Sequence, residues 1–128
     1  MQNISDLKGR TVRYIEASGS KDYDTVREIL TPDVSFKGPF MKLGSSQAFI
    51  AGLERMAPIW ERNVVQKVLS DGNQVCVLYD FVTNTAAGAV PCIELLKFED
   101  DRISSVELFF DRAQFAPAQE ALAKRAAS

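Results

Sequence analysis

Between residues 63 and 111 the chain alternates extended apolar runs with turn signals, a pattern that a β-sheet meander satisfies and a helical fold does not. Residues 64–70 lead into Asp71-Gly72-Asn73, whose side chains favour a tight turn. Residues 75–84 form the next predicted strand, and Thr85-Ala86-Ala87-Gly88 the connection after it. Residues 89–98 form a third, turned by Glu99-Asp100-Asp101 into a fourth, residues 103–110, that ends at Asp111. Two of these strands carry an acid in an apolar setting: Asp80 in Val77-Leu78-Tyr79-Asp80-Phe81, and Glu94 in Cys92-Ile93-Glu94-Leu95-Leu96. A carboxylate placed against apolar groups is costly unless it is protonated, paired or hydrogen-bonded, so both acids are candidate site residues.

The first half reads as helical. Residues 4–18 place Ile4, Leu7, Thr11, Tyr14 and Ile15 near one helix face, with Gly19 as the expected stop. Asp22 is positioned to cap a short second helix carrying Tyr23, Val26, Ile29 and Leu30, which Thr31-Pro32-Asp33 ends. A short strand at 34–37, broken by Gly38-Pro39, is followed by a second short piece at 40–43. Serine after Gly44 starts a third helix with the stripe Phe49, Leu53, Met56 and Trp60, and Pro58 ends or kinks it near Ala57. Alanine-rich residues 116–127 read as a terminal helix. Three helices followed by a four-stranded antiparallel meander give an α+β layout, with helices against one sheet face.

Composition restricts the chemistry. A chain of 128 residues with 46% apolar and 25% charged residues is one globular domain. A net charge of −2 argues against a nucleic-acid footprint, and no apolar run is long enough for a membrane span. The start lacks the basic and apolar regions of a secretory signal, so the expected location is cytoplasmic. Cys76 and Cys92 read as small apolar strand residues. The chain has no histidine, which removes Ser-His-Asp and Cys-His nucleophilic systems and the usual zinc and facial-triad iron sites. No phosphate-binding glycine motif occurs, and neither a cofactor nor a metal is expected.

If the connection between the second and third long strands is centred near Ala87, Asp80 faces Glu94, Leu78 faces Leu96 and Val82 faces Cys92, all on one sheet face. Two adjacent carboxyls in a poorly solvated site cannot both ionise easily, and a neutral one can donate a hydrogen bond to a ligand carbonyl. A slip of one residue would separate the acids onto opposite faces. The alternative is that one of them pairs with Arg62, Arg102 or Arg112, or sits on an exposed part of the sheet.

Several segments, in this order and spacing, resemble the nuclear transport factor 2-like superfamily, in particular its SnoaL-like and ketosteroid-isomerase-like branches. They are Arg13-Tyr14-Ile15-Glu16-Ala17, Asp22-Tyr23-Asp24, Leu30-Thr31-Pro32-Asp33-Val34-Ser35-Phe36, Gly44-Ser45, Phe98-Glu99-Asp100-Asp101-Arg102-Ile103 and Phe109-Phe110-Asp111. The resemblance covers about residues 11–112 and implies a single SnoaL-like domain over 1–128, with a core at about 4–112 and a helical tail at 113–128. The implied fold is a cone-shaped, cystatin-like α+β barrel: a curved antiparallel sheet wrapped around three N-terminal helices, with an apolar pocket at its open end. Homodimers through the sheet are also implied.

The worked case of ketosteroid isomerase uses an aspartate base and an oxyanion hole of tyrosine and protonated aspartate. By resemblance Tyr14 falls on the oxyanion-hole tyrosine and Glu94 on the protonated aspartate, while the base falls on Gly38 and a supporting tyrosine on Gly52. The limonene-epoxide-hydrolase pattern fails as well, since Leu108 stands where an aspartate is expected, and the histidines of SnoaL-type cyclases are missing. The expectation is a protein that binds an apolar carbonyl-bearing small molecule, with isomerase or cyclase chemistry by proton transfer next to the carbonyl. Tyr14 and Glu94 would be donors and Asp80 the candidate base, with Phe36, Met56, Trp60, Leu78, Leu96, Leu108 and Phe110 lining the pocket. The alternative is a non-catalytic dimerisation or protein-interaction module of the same fold.

Overall fold

A computed structural model of the chain describes residues 4–127; Met1, Gln2 and Asn3, part of the start read as leaderless, Ser128, the end of the tail read at 113–128, and the side chains of Ile4, Ser5 and Ala127 lie outside the described residues. The elements run α1 (Ile4–Ser20), α2 (Tyr23–Ile29), β1 (Leu30–Lys37), β2 (Lys42–Leu43), α3 (Ser46–Met56), a 3₁₀ turn (Ala57–Ile59), β3 (Trp60–Asp71), β4 (Gln74–Thr83), β5 (Ala89–Glu99), β6 (Arg102–Phe109) and α4 (Arg112–Ala127).

Helix α1 buries Leu7, Thr11, Tyr14, Ile15, Ala17 and Ser18. Its buried threonine and serine hydroxyls are satisfied within the helix: Thr11 Oγ1 donates to the Leu7 carbonyl and Ser18 Oγ to that of Tyr14. The helix does not stop at Gly19. It continues to Ser20 and ends where Lys21 takes a left-handed φ of 65°, which lets the Asp22 amide donate to the Ala17 carbonyl. Gly19 serves close packing instead, because a Cβ there would stand 2.6 Å from the Asn63 backbone nitrogen on β3. Asp22 caps α2 by accepting from the Thr25 amide, and Ser45 caps α3 by accepting from the Ala48 amide.

The sheet has six strands in the order β2-β1-β6-β5-β4-β3. Strands β3 to β6 form the antiparallel meander, and β1 adds to it parallel to β6, so the sheet is mixed rather than wholly antiparallel. Strand β1 begins at Leu30, four residues before its predicted start. The residue ahead of Pro32 prefers extended backbone, and Pro32 falls in the irregular stretch between the Leu30 and Ser35 pairings, where no ladder donor is needed. Irregularities in β1, β3 and the β5–β6 ladder bend the sheet around α1 and α3 without closing it.

Burial alternates strictly along β4 and β5. Val75, Val77, Tyr79, Phe81 and Thr83 point inward from β4, and Val90, Cys92, Glu94, Leu96 and Phe98 from β5. The register overturns the predicted pairing: Glu94 faces Val77, and Asp80 faces Pro91. The cause lies in the hairpin. The Thr83 amide and hydroxyl both bond the Gly88 carbonyl, and Gly88 adopts φ 62°, so the loop closes on a centre earlier than Ala87. The two acids therefore occupy opposite faces. On the outer face Leu69, Ile93, Leu95 and Phe109 are exposed.

Candidate functional site

Between the inner sheet face and helices α1, α3 and α4 lies a cavity of about 650 Å³. Its wall is apolar for most of its extent, including Phe36, Phe49, Met56, Trp60, Phe81 and Phe110. Helix α4 covers one side of it through Phe115, Gln119 and Leu122. The helix starts earlier than its alanine-rich segment suggests, because Asp111 accepts from the amides of Ala113 and Gln114 and so caps it. Phe115 anchors it: the ring is buried, 4.9 Å from that of Phe110 and 6.0 Å from those of Phe81 and Phe40. The Trp60 indole stacks at 4.6 Å on Phe81 and donates to Asn63 Oδ1, while Asn63 Nδ2 donates to the Ile15 carbonyl.

The polar end of the cavity is a group of three. Tyr14 from α1 donates to Glu94 Oε1 at 2.8 Å, and Tyr79 from β4 donates to Glu94 Oε2 at 2.5 Å. All three side chains are buried. Burial raises the Glu94 pKa, and the hydrogen bonds from Tyr79 and Tyr14 offset part of that rise. Burial also raises both tyrosines well above the usual phenol value, with the neighbouring Glu94 carboxyl adding to the shift. The Cys92 thiol is pushed up to about 12, first by burial and then by Glu94, so it stays protonated and unreactive at neutral pH.

Counting protons shows what this group can offer. With Glu94 ionised, two phenolic hydrogens serve two internal contacts and none is left over. With Glu94 neutral, three hydrogens serve the same two contacts, and the third is available to a ligand oxygen. The raised Glu94 pKa favours that second state.

Of the residues singled out in the sequence, Tyr14, Glu94, Phe36, Met56, Trp60, Leu108 and Phe110 line the cavity. Asp80 and Leu78 do not. Both project from the outer face of β4, where Asp80 accepts a hydrogen bond from Gln66, so Asp80 cannot serve as a base in the cavity. Leu96 faces inward but is fully buried in the core beyond the lining. The arginines considered as partners for the acids are engaged elsewhere: Arg62 with Glu61, Arg102 with the Glu28 carbonyl, and Arg112 over the Phe40 ring. Sequence reasoning missed Tyr79, Phe49 and Phe115. Alternation along β4 put Tyr79 on the face opposite Asp80 without saying which of the two faces inward. Gly38 is packed against Phe36, whose ring carbons lie 3.0 Å from where a Cβ would be, so the position equated with a base is occupied by aromatic carbon. Among the described residues no group of three or more Asp, Glu, Cys or His comes together to hold a metal, and no helix is long and apolar enough to cross a membrane.

The model of the SnoaL-like domain matches residues 11–106, three quarters of the chain. The chain belongs to the SnoaL-like domain family. Its solved structural relatives cover nearly the whole domain. A protein from Kribbella flavida DSM 17836 is 24% identical with a TM-score of 0.79, covering 91% of this chain and 96% of its own. A nuclear transport factor 2-like protein of unknown function from Cytophaga hutchinsonii ATCC 33406 is 22% identical with a TM-score of 0.74 and the same coverage, 91% and 96%. A protein from Jannaschia sp. CCS1, provisionally named a SnoaL-like polyketide cyclase, is 18% identical with a TM-score of 0.75, covering 92% and 96%. At these identities the likeness is one of fold. No curated protein matches the SnoaL-like chain.

Proposed function

We propose that this SnoaL-like protein binds an apolar small molecule and hydrogen-bonds its carbonyl oxygen with the Tyr14–Glu94–Tyr79 group. The observation that carries this reading is a buried carboxyl bracketed by two phenols at the end of a cavity whose other walls are largely apolar. Apolar pockets with a few convergent polar groups are the usual form of a small-molecule site. A donor held in a dry cavity stabilises negative charge developing on a carbonyl oxygen far better than water does. The chemistry supported is therefore isomerisation or cyclisation through an enolate-like state. Among the described residues Glu94 is the only carboxyl in the lining, so a proton leaving carbon goes to the ligand's own groups or to water.

Paired probes test the reading. In a titration followed by thermal shift at pH 6, 2-acetylnaphthalene should stabilise the wild type well beyond 2-ethylnaphthalene. Tyr79→Phe should shrink that difference. Removing this phenol should also cost about 1–3 kcal/mol, the scale of a buried polar group left without its partner. Equal stabilisation by ketone and hydrocarbon would sink the carbonyl reading.

The outer sheet face gives the interaction reading its support, because Ile93 and Leu95 on β5 and Phe109 on the neighbouring β6 expose apolar surface, with Leu69 exposed on β3 beyond β4. We assign that face to a second copy of the chain, as the resemblance implies. Sedimentation velocity should show a wild-type dimer that Phe109→Asp converts to monomer. A monomeric wild type at tens of micromolar would reject it.

A further inference from the structure

The cavity has a second polar feature, at the opposite extreme of burial from Glu94. Arg55 on α3 and Arg125 on α4 both line it and both are exposed, which places them at its mouth. Among the described residues no carboxylate apart from Glu94 is in the lining, although the chain as a whole carries 17 acidic and 15 basic residues. The Arg55 guanidinium lies over the cavity-lining Gly52, with Nη2 at 3.7 Å from the position a Cβ would take there. Among the described residues Arg55 has neither an ion pair nor a hydrogen bond.

We propose that the ligand is an amphipathic anion: an apolar body that fills the cavity and a carboxylate or other oxyanion that Arg55 holds at the mouth. The planar guanidinium fork matches such groups in a bidentate way. This deepens the reading above by naming the ligand's outer end, and it makes no use of the carbonyl at the inner end. The cavity is thus dipolar. Its inner end is the carboxyl bracketed by two phenols and its outer end a cation, so a ligand with one anionic terminus has a single favoured orientation.

The test uses two dyes with one skeleton, 1-anilinonaphthalene-8-sulfonate and neutral N-phenyl-1-naphthylamine, titrated by fluorescence into the wild type and Arg55→Gln. The wild type should bind the sulfonate about tenfold more tightly than the neutral dye, the scale of a charge-assisted hydrogen bond. The preference should weaken in high salt and fall towards parity in Arg55→Gln, while affinity for the neutral dye holds. Equal binding of the two dyes by the wild type would overturn the proposal, as would a preference that survives Arg55→Gln. Neither dye carries a carbonyl, so failure here leaves the carbonyl reading standing, and failure of the ketone pair leaves this one.

Discussion

Replacing Glu94 by glutamine should flatten the dependence of stability on pH across the mildly acidic to neutral range. The folded-state pKa of Glu94 is raised, chiefly by burial, above its ordinary value of 4.5. Such a group contributes stability that is fully present below that ordinary value and is lost as pH rises through the folded pKa, because the folded state then holds a proton that the unfolded state has released. Urea midpoints of the wild type should therefore decline relative to Glu94→Gln from about pH 4.5 upward. Competing terms lie outside this window. Asp22 has a lowered pKa through its bonds with Thr25 and acts only at lower pH, and Tyr14 and Tyr79 titrate above the usual phenol value of 10.0. Profiles that run parallel from pH 4 to pH 8 would mean that folding does not favour the protonated carboxyl, and the third hydrogen offered to a ligand would be lost with it.

Phe115→Ala should be the most damaging single truncation around the cavity, costing about 3–5 kcal/mol, the scale for a buried phenylalanine reduced to alanine. The ring is in contact range of Phe40, Phe81 and Phe110, and it is the large aromatic by which α4 reaches the core. Helix α4 has Pro117 in its interior and so lacks one of its own hydrogen bonds, leaving it dependent on tertiary contact. Hydrogen exchange should show the α4 amides losing protection first, while the sheet keeps its own. A loss under about 1 kcal/mol in urea unfolding, against that expected scale, would show that α4 is not held by this ring.

These two residues also mark the limit of what sequence reasoning reached. Glu94 was legible because a carboxyl in an apolar strand has few bland explanations. Asp80 looked equivalent by the same test and is not, because both faces of β4 are apolar: Cys76, Leu78 and Val82 share a face with Asp80, while Val75, Val77, Tyr79 and Phe81 share the other. Period-two alternation separates two such faces without ranking them. Tyr79 was overlooked for the same reason, although it makes half of the bracket around Glu94. Phe115 was missed although it lies in the helical tail read at 113–128, because its contacts with Phe40, Phe81 and Phe110 join segments distant in sequence.

The sequence by itself determined the local events. Asp22 and Ser45 cap their helices, Asp71-Gly72-Asn73 and Asp100-Asp101 turn their hairpins, and the inner positions of β5 alternate with outer ones throughout. Each depends on a side chain acting on its own neighbours, and the ordered set of these signals is also what made the family visible. Tertiary structure decided the register of β4 against β5, the parallel addition of β1 to β6, the need for glycine at position 19 and the cover of α4 over the cavity. These are contacts between segments distant in sequence, or the closing geometry of one loop. A shift of one residue there exchanges the faces of a whole strand, and so it was the Thr83–Gly88 loop, rather than the acids themselves, that placed Glu94 inside and Asp80 outside.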